Sequence, residues 1–545
     1  MRSHLSILIL IFWGGWLSAE PLRIRKGDSI VILGNTFAER MQLFGYFEVF
    51  LHSRFPNHNL RVRNMGWSAD EVQQRIRPQG FPKLSAELKE HRADLLFLCF
   101  GFNESFQGAT GLDHYKAGLG NFLKKLQGQK FNGESAPRIV LVSPIPFENF
   151  DTGSSNSGEG NRGIQLYSTA SETVAQEHGV RFLDLFTPML ERASNISNRK
   201  ITTNGVHLTE YGDWTVSQLM ARGLGLWNDD LSLPAATPRD EKFRRAVYEK
   251  NHHYFTWWHP PNASYIHGGR NKTRGAMHLA NEREQRKLLI EASERELWAM
   301  GKPKLSEVWG AEPVEGKPVW FPTPGSRNIP GVAKGQEAQW EVESDGPSDK
   351  HLRTPQEQLA MFKVADGYEV NLFASEQSFP IANPFAIRFD EKGRLWVGNS
   401  PTWPHSLPGQ QPRDSLVILE DKDRDGVADK HSVFLDKMKL IHGFALAEDG
   451  AFVAQVPNLI LAKDKTGNGK ADWVQTVLHG FGAEDAEHAM NNFRWSPGGS
   501  LHFSQGIFYH TQIETPYGPR RVRDAAVFRY TPHDHRLEIP VSHAF

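Results

Sequence analysis

At 545 residues the chain is several times longer than one ordinary domain, so two or three domains with sizeable cores are expected. Its 62 basic and 63 acidic residues balance to a net charge of -1, and no Lys/Arg cluster is interleaved with aromatics, which excludes a nucleic-acid groove. The single cysteine, Cys99, excludes intrachain disulfides and the Cys-x-x-Cys-His sequence of covalent c-type haem.

Met1 to His4 precede an apolar run from Leu5 to Leu17, and Ser18-Ala19 precede Glu20, the layout of a cleaved secretory signal. The run is shorter than the ~20 residues a spanning helix needs. The expectation is therefore a signal peptide over 1–19 and an exported chain, periplasmic or extracellular, with no transmembrane segment after signal removal.

From residue 29 to about 225, short apolar runs (Ile30 to Leu33, Leu60 to Val62, Leu95 to Phe100, Ile139 to Val142, Arg181 to Leu185) alternate with helical stretches near 37–54, 70–79, 112–128, 161–178 and 209–223. That alternation predicts a three-layer α/β sandwich with a five-stranded parallel sheet, flavodoxin-like in layering, over 20–235. Cys99 falls in the third run and is expected as a buried thiol. Lys242 to Asn251 and Asn281 to Met300 predict a helical extension, and Pro303 to Asp349 a Pro/Gly/Glu-rich linker, together 236–350.

Over 351–545 the texture changes to short alternating strands with Gly, Asp and Pro turns. "NPFAIRFDEKGRLWVGNS", "HGFALAEDGAFVAQV" and "NNFRWSPGGSLHFSQG" recur about every 50 residues, the spacing of propeller blades. Closure needs about four to eight blades, so an incomplete all-β propeller, and a chain that is a truncated fragment, are expected.

The string "GDSI" at 27–30 looks like a nucleophile motif, but Ser29 precedes the first strand rather than standing in the turn after it. Gly34-Asn35-Thr36 hold that place. "IVILGNTFAER", "RNMGWSAD", "FGFNESF" and "NGVHLTEYG" resemble the four successive blocks of the SGNH/GDSL hydrolase superfamily, in order over 27–225. The resemblance implies an ester hydrolase with Thr36 at the nucleophile position, Gly66 and Asn103 in the oxyanion hole, and His207 as the base. Asn204 stands where the family has the aspartate, so two of the three triad positions depart from the pattern. A hydroxyl nucleophile needs a neutral imidazole to take its proton and a carboxylate to hold the tautomer. Replacing that carboxylate with an amide costs about 10⁴ in rate in a Ser protease. Glu39, Glu104 and Asp184 are the carboxylates that could replace the missing charge.

In the third region, Asp421, Asp423, Asp425 and Asp429 stand at positions 1, 3, 5 and 9 of a loop around Gly426, which predicts calcium outside an EF-hand. Asp464 to Asp472 repeats the layout with weaker ligands. "DGYEVNLFAS", "LEDKDRDGVADK" and "EHAMNNFRWSPGGSLHF" resemble the start of the propeller in PVC-type haem-binding proteins, which are similar to quinoprotein sugar dehydrogenases. That resemblance implies a general base at His488.

The expected function is an exported SGNH-like esterase or deacetylase acting on acylated saccharides through a degraded triad. A non-catalytic carbohydrate-binding or scaffold protein is the alternative, and a remnant of a quinone-linked sugar dehydrogenase the third.

Overall fold

The computed structural model describes residues 20–149, 157–195, 199–227, 241–267, 277–279, 281–303, 324–333, 341–342 and 353–543. The expected signal peptide and most of the expected linker lie outside these residues.

The first unit is built on strands β1 (Ser29–Gly34), β2 (Arg61–Asn64), β3 (Leu95–Cys99), β4 (Arg138–Val142) and β5 (Arg181–Leu183), paired in the order β2-β1-β3-β4-β5. All four pairings are parallel. Every residue of β1 and β3 is buried, as strands covered on both faces require. Helices α1 (Thr36–Phe44), α2 (Tyr46–Arg54), α3 (Leu84–Glu90), α4 (Leu112–Gln127), α5 (Ser157–Glu177), α6 (Phe186–Asn195) and α7 (Glu210–Gly223) supply the covering layers. One core packs Phe47, Phe50, Trp214 and Met220 against one face of the sheet, and the other packs Leu119, Leu123 and Tyr167 against the opposite face.

Local chemistry sets the helix ends that matter here. The Asn35 side chain accepts from the Phe37 amide at the start of α1, and Thr209 does the same for Gly212 at the start of α7. Gly45, at φ 71°, divides the predicted 37–54 helix into α1 and α2. The helix expected at 70–79 is absent. Its groups bond in ways a helix does not allow: the Val72 amide donates to Glu104 Oε1 (2.9 Å), and Arg77 forks back onto Asp70 seven residues earlier (2.6 and 2.8 Å). The next helix is α3, which begins only at Leu84.

Two longer helices follow, α8 (Glu241–Trp258) and α10 (Glu282–Ala299), with the short α9 (Ala263–Ile266) between them. They blunt the exposed edge of the sheet. Lys250 Nζ donates to the Val62 carbonyl (3.0 Å), Trp298 Nε1 to the Leu60 carbonyl (3.1 Å), and Arg63 on β2 pairs with Glu294 (2.5 Å).

The two-residue strands β6 (Met277–His278) and β7 (Glu341–Val342) pair antiparallel, and the strands of the third region are likewise all antiparallel. Strands β8 (Pro384–Phe389), β9 (Leu395–Asn399), β10 (Asp414–Glu420) and β11 (Lys430–Met438) form one four-stranded sheet. The next is β12 (Ile441–Ala447), β13 (Gly450–Gln455), β14 (Asn458–Lys463) and β15 (Trp473–His479). A third combines β16 (Asn491–Trp495), β17 (Leu501–Gln505), β20 (Ala525–Thr531) and β21 (Arg536–His543). Between β17 and β20 the chain leaves this sheet to make a separate hairpin, β18 (His510–Ile513) with β19 (Arg520–Arg523).

Candidate functional site at the sheet edge

The carboxyl ends of β1, β2 and β3 bring Thr36, Gly66 and Asn103 to one edge of the sheet, where open α/β sheets place their ligands. The approach is close because two positions lack a side chain. A Cβ on Gly34 would lie 2.1 Å from the Cys99 carbonyl oxygen, and one on Gly66 would lie 2.4 Å from the Glu39 amide nitrogen. Cys99 itself is buried, and burial pushes its thiol pKa up. Ser29, in the "GDSI" string, is at the start of β1, with its amide donating to Asp94.

Hydrogen-bond directions around Thr36 follow from its neighbours. Ser68 Oγ donates to the His479 carbonyl (3.1 Å), so the Thr36 hydroxyl donates to Ser68 Oγ (3.1 Å) and accepts from the Ala69 amide (3.1 Å). Its proton thus points along the 66–71 loop. The Gly66 amide is also engaged, donating to Asn64 Oδ1 (3.0 Å).

His207 is held on the loop before α7 by Asn204. The amides of Val206 and His207 both donate to Asn204 Oδ1 (3.2 and 3.0 Å), which turns Asn204 Nδ2 toward His207 Nδ1 (3.1 Å). An amide N–H facing Nδ1 requires a lone pair there, so the neutral ring carries its proton on Nε2. This is the tautomer opposite to the one a general base needs. Burial holds the His207 pKa below its ordinary value, opposed by the Glu514 carboxylate and reinforced by Arg40.

Glu514, the residue after β18, enters the same site from the third region. Its Oε2 accepts from Asn103 Nδ2 (2.8 Å), and its Oε1 lies 3.4 Å from His207 Nε2, which makes no hydrogen bond of its own. Both side chains of the Glu514–His207 pair are buried. The carboxylates that sequence reasoning singled out lie elsewhere. Glu39 pairs with His259 (3.2 Å) and His479 (2.8 Å), and Asp184 accepts from the Thr187 amide (3.2 Å). Glu104 accepts from the Val72 and Gly101 amides, and burial pushes its pKa up to about 7. Glu514 went unnoticed because it is 307 residues from His207 and sits in no recognisable motif.

The remaining candidates are separate from this cluster. His488 closes a 3-10 turn over Ala486–His488, its Nε2 4.0 Å from Asp485 and its ring against Phe508. Asp421, Asp423 and Asp429 each present one oxygen within 4.8 Å of the others, a donor set that fits a hard cation. Asp425 instead accepts from the Val427 amide (2.8 Å).

Residues 27–214 match the GDSL-like lipase/acylhydrolase family. The first unit is a domain of that ester-hydrolase type. Residues 354–544 match a domain of unknown function, DUF7133. No curated protein matches the chain in sequence. Solved structures similar to the chain include Axe2, an acetylxylan esterase from Geobacillus stearothermophilus, at 17% identity, covering 37% of this chain and 96% of that one with TM-score 0.30. An alpha/beta hydrolase enzyme from the metagenome of Lake Arreo, Spain, is similar at 15% identity over 38% of this chain and 99% of the other, TM-score 0.30. A gut microbial diltiazem-metabolizing enzyme is similar at 17% identity and TM-score 0.32; the match covers 38% of this chain and about half, 49%, of that one. Among the described residues, no helix is long and apolar enough to cross a membrane.

Proposed function

We propose that the first domain is an exported esterase-type acylhydrolase for acyl groups carried on saccharides, working with a weakened triad. The observation that carries this reading is the carboxylate at the sheet edge. One oxygen lies on the Asn103 amide and the other faces His207 Nε2, as the acid released from an ester would lie between an oxyanion donor and the catalytic histidine. In the working state His207 would accept the Thr36 proton and pass it to the leaving alcohol, while Asn103 stabilises the oxyanion. Both the Thr36 hydroxyl and the His207 ring must reorient for this, which accounts for weak chemistry.

Ester turnover is to be measured in the full chain, wild type and Glu514→Ala, each with and without Asn204→Asp, on a chromogenic acetyl ester and on acetylated polysaccharide. Asn204→Asp gives Nδ1 an acceptor and is expected to raise kcat/KM by about 10²–10⁴, and adding His207→Ala abolishes the gain. No turnover in any of the four chains overturns hydrolysis.

A second reading, saccharide binding without turnover, is favoured by the Asn204–His207 tautomer and by the Thr36 proton directed at Ser68. The third region is proposed as the beginning of a PVC-type propeller. Its support is three consecutive four-stranded sheets, with β12 packed against both β8 and β16 as first strands of neighbouring blades would be. Calcium is proposed for the Asp421 loop, held by Asp421, Asp423 and Asp429, where it would tie the loop as a hard cation.

A further inference from the structure

We propose that the sheet-edge site is a carboxylate receptor whose resident occupant is Glu514, so that the third region closes the site in cis with a side chain shaped like the acid product. The receptor stands on its own geometry; its link to product rests on the hydrolase reading above.

The first support is the donor set. Asn103 Nδ2 donates to one oxygen of the Glu514 carboxylate and His207 Nε2–H faces the other at 3.4 Å, and the asparagine at 204 is what puts a proton, rather than a lone pair, on Nε2. A pair of donors is what a carboxylate needs and what a neutral carbonyl alone would leave half used. Arg40, buried beside His207, adds positive charge to the same neighbourhood. Taking a carboxylate out of water is costly unless hydrogen-bond donors face it.

The second support is independent of the first and concerns how Glu514 is delivered. The two preceding four-stranded sheets run as simple meanders, whereas the third is interrupted by the β18–β19 hairpin, and that hairpin carries Glu514. It is fastened to the esterase-type domain at several other points. Gln512 Nε2 donates to Asp70 Oδ1 (2.9 Å), and Arg521 Nη2 donates to the Ala69 carbonyl (2.6 Å) and to Glu71 (2.7 Å). Gly518 at its tip packs on the Phe106 ring, where a Cβ would come within 3.3 Å. The hairpin therefore holds the 69–71 loop and the Asn103 turn together.

Hydrolysis of an acyl ester adds the OH of water to the acyl carbon and its hydrogen to the departing alcohol. The acid then ionises with one oxygen from the ester carbonyl and one from water. Glu514 reproduces this arrangement with a methylene chain leading back into the third region, so a free carboxylate and Glu514 compete for one place.

The test uses the full chain and needs no turnover. Wild type, Glu514→Ala and Glu514→Ala/Asn103→Leu are titrated with sodium acetate against sodium chloride at equal ionic strength, read by calorimetry and by thermal shift. Glu514→Ala is expected to bind acetate in roughly the millimolar range and to be stabilised by it; wild type shows neither effect. Asn103→Leu is expected to weaken that binding at least tenfold. An acetate response equal in wild type and Glu514→Ala overturns the receptor. Acetate binding without ester turnover retains the receptor and removes the hydrolase reading. Should Glu514→Ala not fold, the isosteric Glu514→Gln is followed by hydrogen exchange. Amides over 510–523 are expected to exchange at least tenfold faster while β1 and β3 are unchanged, and unchanged exchange in the hairpin overturns the proposal.

Discussion

Two groups of carboxylates on the loops of the third region behave in opposite ways. Glu514 is buried and meets donors hundreds of residues away, in another domain. Asp421, Asp423 and Asp429 are partly or fully exposed and are occupied mostly by the backbone amides of their own loop, Asp421 taking those of Arg424 (2.7 Å) and Gly426 (3.0 Å). Burial makes each missing partner expensive in the first group, while solvent substitutes for a missing partner in the second. Effects of substitution should therefore fall steeply from buried, long-range pairs to exposed, local ones.

The largest effect is expected at Lys250, whose ammonium lies 2.6 Å from Glu48, with side chains 1% and 7% exposed. Lys250→Met fills the space but leaves Glu48 without its cation, a loss of about 3–5 kcal/mol. A denaturant midpoint lowered by less than the error of the measurement would break the comparison at its strongest point. The double substitution Lys250→Met/Glu48→Leu should recover most of the loss, because it leaves neither member of the buried ion pair as a lone charge.

Next in size is Asp213, on α7, which lines a small pocket with Arg40 and His207. Burial pushes its pKa up to about 8, with Arg244 and a backbone hydrogen bond opposing, and its Oδ2 has no hydrogen-bond partner. The folded state then binds a proton that the unfolded chain has released, so the stability this group contributes is present below about pH 4 and is lost as pH rises toward 8. Asp213→Asn removes that titration. Its melting temperature should exceed that of wild type by several degrees above pH 8 and by little near pH 4. A difference independent of pH would show that Asp213 does not titrate in this window.

These long-range pairs also mark the limit of what the sequence discloses. The five strands are readable from their near-continuous apolar runs, because a strand buried on both faces leaves that imprint locally. The position of Thr36 in the turn after β1, and of Asn204 three residues before His207, is readable from spacing. What spacing cannot convey is that Asn204 Oδ1 is taken by two backbone amides, which inverts the ring it faces. The stretch at 70–79 has helical patterning, yet Val72 is committed to Glu104 and Asp70 to Gln512, with Arg77 folded back onto Asp70, so context overrides propensity there. Glu514 is the extreme case. Neither its neighbours nor its composition single it out; only the interrupted third sheet delivers it to His207.

The smallest effect is expected at the acidic loops, and there the local character of the chemistry sets the size. Asp421 and Asp464 accept amides in the same way, the second from Asn468 (3.1 Å) and Gly469 (2.7 Å), so each loop is largely satisfied without a cation. Calcium would use the remaining lone pairs of Asp421, Asp423 and Asp429, and affinities of about 10⁻⁴–10⁻³ M are usual for extracellular sites of this kind. At 10 mM calcium, binding of that strength stabilises by roughly 1.4–2.7 kcal/mol, a rise of a few degrees at most in the unfolding of the third region. Asp423→Asn should abolish the rise, whereas Asp464→Asn should not, since of the two loops it is the Asp421 loop that gathers three carboxylate oxygens among the described residues. A midpoint indifferent to calcium against EDTA would make the loop a self-capped turn and leave Glu514 as the functional carboxylate of this region.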